Sequence, residues 1–575
     1  MATTARGEPQ SGENHLHRKV GLRPLTMISL GSIIGSGWLL GALHASETAG
    51  AASSVSWLAG GLVLAVLALV HAELGSTYPV SGGTARFPFM VFGGLGGFTG
   101  GWMAFLQAVT IAPIEVEASL GYINAKWPDL GWVYTHGSLA SEGALTPTGI
   151  GVGAGFMLVF TVFNIMGVRW LAETNAIATY WKILIPTITI FGLLFTVFHS
   201  SNFTAGGGFM PYGIHGVFAA LPLGIIFALE GFEQAIQVGG ETENPQRNIP
   251  RAVIFAMIIG TCIYLLLEVA FVGALSPANL VHGWANPITT SAAAGPYYAL
   301  ASQAGLGWLA TLLLIDSVVS PAGTGLVYLG TSSRLSYGLG RNGYFPKIIS
   351  FIDKRGVPIW SIAICFIIGM LTFLPFPSWA ALVALVTSAT VLMYSFAPVS
   401  LAGLRRMDPD RPRGYKLPWA AVLCPLSFFF ANCIVYFSGW SNVFWLYVLI
   451  IIGFLIFGIY QASVPAERRT VIDWKAAIWV LPWLVGLAII SWQGQYTSGY
   501  NKVFGITLNP TYNIGGGMSP TGFREWLDLI IIFVFSMAIY YWAVRSSMSQ
   551  EKIQAAVEEV EHEASIELDS HLMTT

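Results

Sequence analysis

Windows of about 20 predominantly apolar residues recur along the whole 575-residue chain, and this recurrence limits its fold more than any other feature. A helix of that length crosses the hydrocarbon core of a bilayer, satisfying its backbone hydrogen bonds internally as it does so. Apolar side chains make up 54% of the sequence and charged ones 10%. That is too little charge to clothe a large soluble globule, so the chain reads as an all-α polytopic membrane protein. The windows fall near 25–45, 52–76, 95–123, 147–167, 176–198, 214–239, 252–275, 305–332, 358–376, 379–402, 418–438, 443–463, 474–492 and 526–545, giving fourteen expected spans. Spans 9 and 10 are separated only by Pro375-Phe-Pro377, and the region 284–304 reads as amphipathic.

An even count places both termini on one side. If that side is cytoplasmic, Lys126, Lys502 and Arg524 fall outside, Lys182 lies within span 5, and every other Lys and Arg of the 27 falls inside. This is the asymmetry expected of the positive-inside rule. The polar N-terminal segment has no apolar core of a cleavable signal, so span 1 is expected to direct insertion. Cys262, Cys365, Cys424 and Cys433 lie within spans without paired or metal-like spacing and read as small core residues. A net charge of −2 gives no reason to expect nucleic acid as a partner.

Two spans are interrupted near their middles. Span 1 contains Gly31-Ser-Ile-Ile-Gly-Ser-Gly37-Trp38, and span 6 contains Phe227-Ala-Leu-Glu-Gly-Phe-Glu233. Backbone that leaves the helix at membrane depth survives only where protein or a polar cavity covers it, so paired breaks point to a transporter's binding site. Spans 1–5 and 6–10 (about 25–198 and 214–402) can be laid over one another with the interrupted helix first in each. An odd number of spans per unit makes the repeat inverted and brings both breaks to the midplane. The expected organisation is a cytoplasmic N-terminal segment (1–24), a transporter core (25–402), a basic cytoplasmic loop (403–417), four accessory spans (418–545) and an acidic cytoplasmic tail (546–575).

Four strings resemble, in order, the amino acid–polyamine–organocation superfamily of permeases, over roughly residues 20–415. They are Gly31 to Gly37; Ala72-Glu-Leu with Tyr78-Pro-Val-Ser-Gly-Gly83; Phe227 to Glu233 with Glu241-Thr-Glu-Asn-Pro-Gln-Arg-Asn-Ile-Pro250; and Ser333-Arg-Leu-Ser-Tyr-Gly-Leu-Gly-Arg-Asn-Gly343 with Pro346. The resemblance implies a leucine-transporter-like 5+5 inverted repeat with broken helices 1 and 6, here with four additional C-terminal spans. It also implies alternating access, amino acids or related amines as substrates, and no organic cofactor. Two features depart from the family: Glu230 stands where a small residue is common, and fourteen spans replace the usual twelve. Glu230 together with Asp316-Ser-Val-Val-Ser-Pro321 is most similar to the aspartate:proton symporter subgroup.

The candidate substrate surface in span 1 is Ile34, Gly35, Ser36 and Gly37. Amides at the start of a half-helix favour an anion such as an α-carboxylate; the competing reading is close helix packing through Gly31 and Gly35. In span 6 the carbonyls of Phe227, Ala228 and Leu229, freed before Gly231, are candidate acceptors for an ammonium group, and Phe227 resembles the family's aromatic gate. Glu230 is the most unusual side chain, because an ionised carboxylate at mid-membrane costs about 2.5–3.5 kcal/mol. It would carry the coupled proton, recognise a cationic group, or serve as a neutral structural acid. Glu233 suits capping of the second half-helix as well as function.

Lys182 resembles the family's cation that replaces sodium and links span 1 to span 8; snorkelling to the interface is the alternative. Asp316, Ser320 and Thr324 share a face of span 8, beside a carbonyl freed by Pro321. They would hold sodium, relay a proton, or form an interhelical hydrogen-bond cluster. Glu115 and Glu117 point to nearly opposite sides of span 3, so at most one faces the pathway. His71, Glu73 and Glu268 carry no assigned role. No nucleophile elbow, metal cluster or phosphate loop suggests an enzyme.

The expected function is uptake of amino acids across the plasma membrane by proton symport, with sodium the alternative ion and an acidic amino acid the first substrate to consider. Exchange of amino acids, cationic amino acids or polyamines is the nearest rival, and a nutrient-sensing receptor with little flux is a rival of another class. The bilayer is the expected environment, and the accessory spans are a candidate homo-oligomer surface.

Overall fold

The computed structural model describes residues 20–80, 82–133, 144–166, 168–288, 295–353, 357–374, 378–494, 496, 502–503, 506–507 and 522–572. Eleven helices among them are long and apolar enough to cross a membrane, and two shorter apolar helices, Gly213–Leu229 and Ile359–Thr372, supply spans 6 and 9. Span 1 is divided into Leu22–Ile33 and Gly37–Ala49, and its second half runs almost directly into span 2, Ser53–Thr77. The eleven count Gly37–Thr77 once, although it holds the second half of span 1 and all of span 2, so the described helices fall where the fourteen windows were expected. The Pro375–Pro377 junction lies outside the described residues, as do the first nineteen residues. Among its described residues the amphipathic region contributes one short α-helix, Pro296–Gln303.

Spans 3 and 10, Gly83–Lys126 and Trp379–Met407, form the centre of the bundle: 94% and 89% of their apolar windows are buried, against 22% for span 4, Pro147–Met166. Span 3 packs on span 10 and on span 8, Gly307–Arg341, while span 7, Pro245–Ala274, packs on spans 1 and 2. Span 5 is Val168–Thr196. The accessory helices Ala420–Phe437, Trp440–Ser463, Val480–Gln493 and Gly522–Ser546 lie beside this core. Beyond them the tail forms the helix Gln550–Leu572, which packs against span 3. Of the four cysteines three are buried, but Cys262 is exposed and does not serve the core as expected; in an apolar span that side of the helix faces outward.

Both interruptions are present. Span 1 leaves the helix at Ile34, with φ −88° and ψ 86°. Span 6 leaves it at Glu230, which is extended, and at Gly231, where φ is +117°. Span 6 has a second irregularity that the sequence did not suggest, a wide turn over Leu221–Ile225 with Gly224 at φ +131°.

Candidate substrate and coupling site

The two breaks lie against one another. A Cβ on Gly37 would stand 2.7 Å from Ala228 Cα, and one on Gly231 would stand 2.8 Å from the Ile33 backbone nitrogen. Only glycine permits this approach, and at Gly231 the positive φ requires it as well. Ser29 ties the two segments further: its hydroxyl donates to the Phe232 carbonyl at 3.0 Å and accepts the Ala235 N–H at 3.2 Å.

At the span 1 break the Gly35 amide donates to Ile33 O at 3.1 Å. The Ser36 amide donates to Oε2 of Glu115 at 2.8 Å. The acceptor at this half-helix start is therefore a carboxyl oxygen of the protein itself, and of the two glutamates of span 3 it is Glu115 that faces the break. Glu117 is also buried. Span 3 keeps helical dihedrals through Pro113 and bends instead at Gly93.

Lys182 is fully buried, so the snorkelling alternative does not describe it. Its ammonium donates to the Gly31 carbonyl at 2.8 Å and to Thr324 Oγ1 at 2.7 Å, linking spans 1, 5 and 8. It also interacts electrostatically with Glu115 and Asp316. Asp316 accepts from Ser320 Oγ at 2.6 Å, so the face read from the sequence of span 8 is populated as expected, with Ser320 serving Asp316 and Thr324 serving Lys182. The indoles of Trp38 and Trp181 approach the same carboxyl, although neither completes a hydrogen bond of ordinary geometry with it.

At the span 6 break the Phe227 carbonyl is not free, since it accepts the Glu230 N–H at 3.2 Å. The Phe227 ring meets Trp379 edge-on at 5.7 Å. Trp379, at the start of span 10, donates its indole N–H to Ser36 Oγ at 2.9 Å and stacks on His44. Ile34, Ala228 and Leu229 are all buried in this contact region.

Glu230 and Glu233 have different surroundings. Glu233 Oε2 accepts from the Gly231 N–H at 2.9 Å and from Tyr394 OH at 2.7 Å, while Oε1 accepts from Tyr328 OH at 3.3 Å. It holds the Gly231 amide within the break and ties it to spans 8 and 10, but makes no side-chain cap on the half-helix Gln234–Gln237 that follows, so the capping expected from its position is not seen. Glu230 Oε2 lies 3.0 Å from Thr390 Oγ1, which is also 2.9 Å from the Val386 carbonyl. The Gln107 side chain approaches Glu230 from span 3. Gln107, Thr390 and Trp379 escaped the sequence reading; the available signal was an amide, a hydroxyl and an indole set within otherwise apolar stretches.

Interrupted helices meeting over buried charges, inside a bundle of apolar spans, define a membrane transporter. The family model described as "Amino acid permease" matches residues 20–490, and the chain belongs to that family, within the amino acid–polyamine–organocation superfamily. It is 33% identical over 547 residues to the glutamate/serine transporter AimA of Bacillus subtilis (strain 168), covering 95% of this chain and 97% of the relative. It is 34% identical to the aspartate-proton symporter of the same organism, covering 94% and 99%. The branched-chain amino acid permease BcaP is 27% identical, over 78% of this chain and 94% of the relative. These relatives are transporters, not enzymes, and the chain is a multi-pass amino acid transporter.

Proposed function

We propose that the protein takes up amino acids by proton symport, through alternating access of two inverted five-span units around the paired breaks. The carrying observation is the Glu115 carboxylate on the Ser36 amide, with the Lys182 ammonium beside it on Gly31 O and Thr324. A substrate α-carboxylate arriving at the half-helix start displaces Glu115 from that amide. The displaced carboxylate then pairs with Lys182 or takes a proton, and either event couples binding to charge. Lys182 puts a fixed cation between spans 1 and 8, so the reading requires no sodium at that position. In this reading Asp316, held by Ser320, exchanges a proton with Lys182.

An acidic substrate fits the names of two relatives, and the plasma membrane with both termini cytoplasmic fits the distribution of Lys and Arg. One charge crossing 100 mV supplies about 2.3 kcal/mol, roughly 50-fold accumulation; an acidic amino acid needs additional protons to gain the same. Purified protein in proteoliposomes tests the proposal: an imposed inward proton gradient drives concentrative uptake of an amino acid with sodium absent. Flux that depends only on amino acid on the opposite side, and not on the gradient, establishes exchange instead. Binding without flux establishes a receptor.

A further inference from the structure

The acidic tail is docked at both ends of its described part. Its helix, Gln550–Leu572, buries Ile553, Ala556, Val557 and Val560, which share one helix face, and it packs on spans 3 and 10. The tail meets span 3 where that span bends. Gly93 turns the backbone there with φ +68°, and the Val91 carbonyl just before it accepts the Met548 N–H at 3.0 Å. Asp473, whose Oδ2 would stand 2.8 Å from a Cβ on Gly93, pairs with Lys552. About 14 Å further along the helix, Glu561 pairs with Arg411 of the loop after span 10. Arg411 in turn holds the end of span 2. Its Nε donates to the Thr77 carbonyl at 3.3 Å, and its guanidinium lies 4.5 Å from the centre of the Tyr78 ring, whose hydroxyl donates to Asp408 at 2.9 Å.

We propose that the tail helix is a strap that ties the end of span 2 to span 3 through Arg411 and Glu561, slowing the opening of this face until salt on the same side loosens the link. The strap rests on the transport reading above, in which this face is cytoplasmic. Span 2 packs chiefly on span 7 and span 3 chiefly on spans 8 and 10, while spans 2 and 3 touch each other little. Alternating access parts the two groups along that weak joint, and the tail crosses it. Magnitudes divide the work between the contacts. The buried Ile553, Val557 and Val560 hold the helix on its platform far more strongly than one partly exposed ion pair can, so salt leaves the helix docked. The side chains of Arg411 and Glu561 are 23% and 39% exposed, and their pairing is what salt screens. Lys552 and Asp473 pair beside the bend of span 3, so that bond does not cross the joint.

The test is amino acid counterflow by the full-length chain in proteoliposomes, with equal potassium chloride on both sides. Raising the salt from about 10 mM to about 0.5 M shortens the screening length from about 30 Å to below about 10 Å. Wild-type exchange is expected to quicken about two- to fivefold, the size of an exposed ion pair. Glu561→Gln and Arg411→Gln each exchange at that faster rate in low salt and respond no further to salt; the double variant is no faster than either, because both remove one interaction. The charge swap Arg411→Glu with Glu561→Arg restores the slow, salt-responsive rate, and Lys552→Ala behaves as wild type. A wild-type rate unmoved by salt, or single variants that match wild type, overturns the strap. So does a Lys552→Ala variant as fast as Glu561→Gln, which marks general loosening of the tail, and so does slower exchange by Glu561→Gln with a lower melting temperature, which assigns the pair to folding alone. Absence of flux from every version, wild type included, removes the transport reading and the strap with it.

Discussion

The indole N–H of Trp379 donates to the hydroxyl of Ser36 at 2.9 Å, tying the first residue of span 10 to the break in span 1. The same ring stacks on His44 and meets Phe227 edge-on. One residue thus joins both broken helices to span 10. Trp379→Phe keeps the ring and loses the donor. It is expected to raise the rate of amino acid exchange while lowering apparent affinity, read by counterflow in proteoliposomes; unchanged rates and affinity show that the bond does not restrain opening.

Lys182→Met removes the ammonium from Gly31 O, Thr324 and the neighbouring carboxylates. Breaking a buried charge arrangement by removing one partner costs about 3–5 kcal/mol. The variant should melt well below the wild type in a detergent stability assay and lose gradient-driven uptake. A stable variant with intact uptake contradicts the coupling role.

A proton carried with the substrate is a reactant, so uptake should rise as the external pH falls. If Glu230 carries that proton, Glu230→Gln flattens this dependence and spares exchange of a neutral amino acid. Retention of the wild-type pH profile in the variant assigns the proton elsewhere, with Glu115 the next group to test.

Gly231→Ala places a methyl group against the Ser32–Ile33 backbone at a φ of +117°. Uptake should fall at least about 10-fold, since the strain and the clash each reach on the order of 1 kcal/mol or more. Gly151→Ala, with nothing within 4 Å of the added carbon, should leave uptake within about twofold. Similar uptake by the two variants contradicts the close approach of the breaks.

Glu73, fully buried in span 2, is held by Arg405 and Arg413 and by the Leu417 N–H at 2.6 Å. Arg405→Ala should destabilise the protein by about 1.5–3 kcal/mol, as for lost hydrogen bonds to a charged group, because Arg413 and the Leu417 N–H still hold Glu73. Lys552 pairs with Asp473 at the surface, and Lys552→Ala should cost no more than about 1 kcal/mol. Chemical denaturation of the two variants separates the buried network from the exposed pair.

Apolar runs and helix breakers are local properties, and this is why the spans and both interruptions were legible. The pairing of Asp316 with Ser320 was legible for the same reason, since i and i+4 share a helix face. The turn over Leu221–Ile225 was not, because it depends on Gly224 packing beside Gly41 and Trp379.

By itself the sequence determined that the chain crosses a membrane many times, that two helices are interrupted, and that a few charges are buried at membrane depth. Tertiary structure alone decided where those charges meet. Glu115 rather than Glu117 faces the break because of how span 3 is rotated in the bundle. The Ser36 amide is taken by a carboxylate 79 residues away, and Glu230 stands between Gln107 and Thr390 because three distant helices converge there. Residue spacing specifies which side chains share a face of one helix. Only packing sets which faces touch.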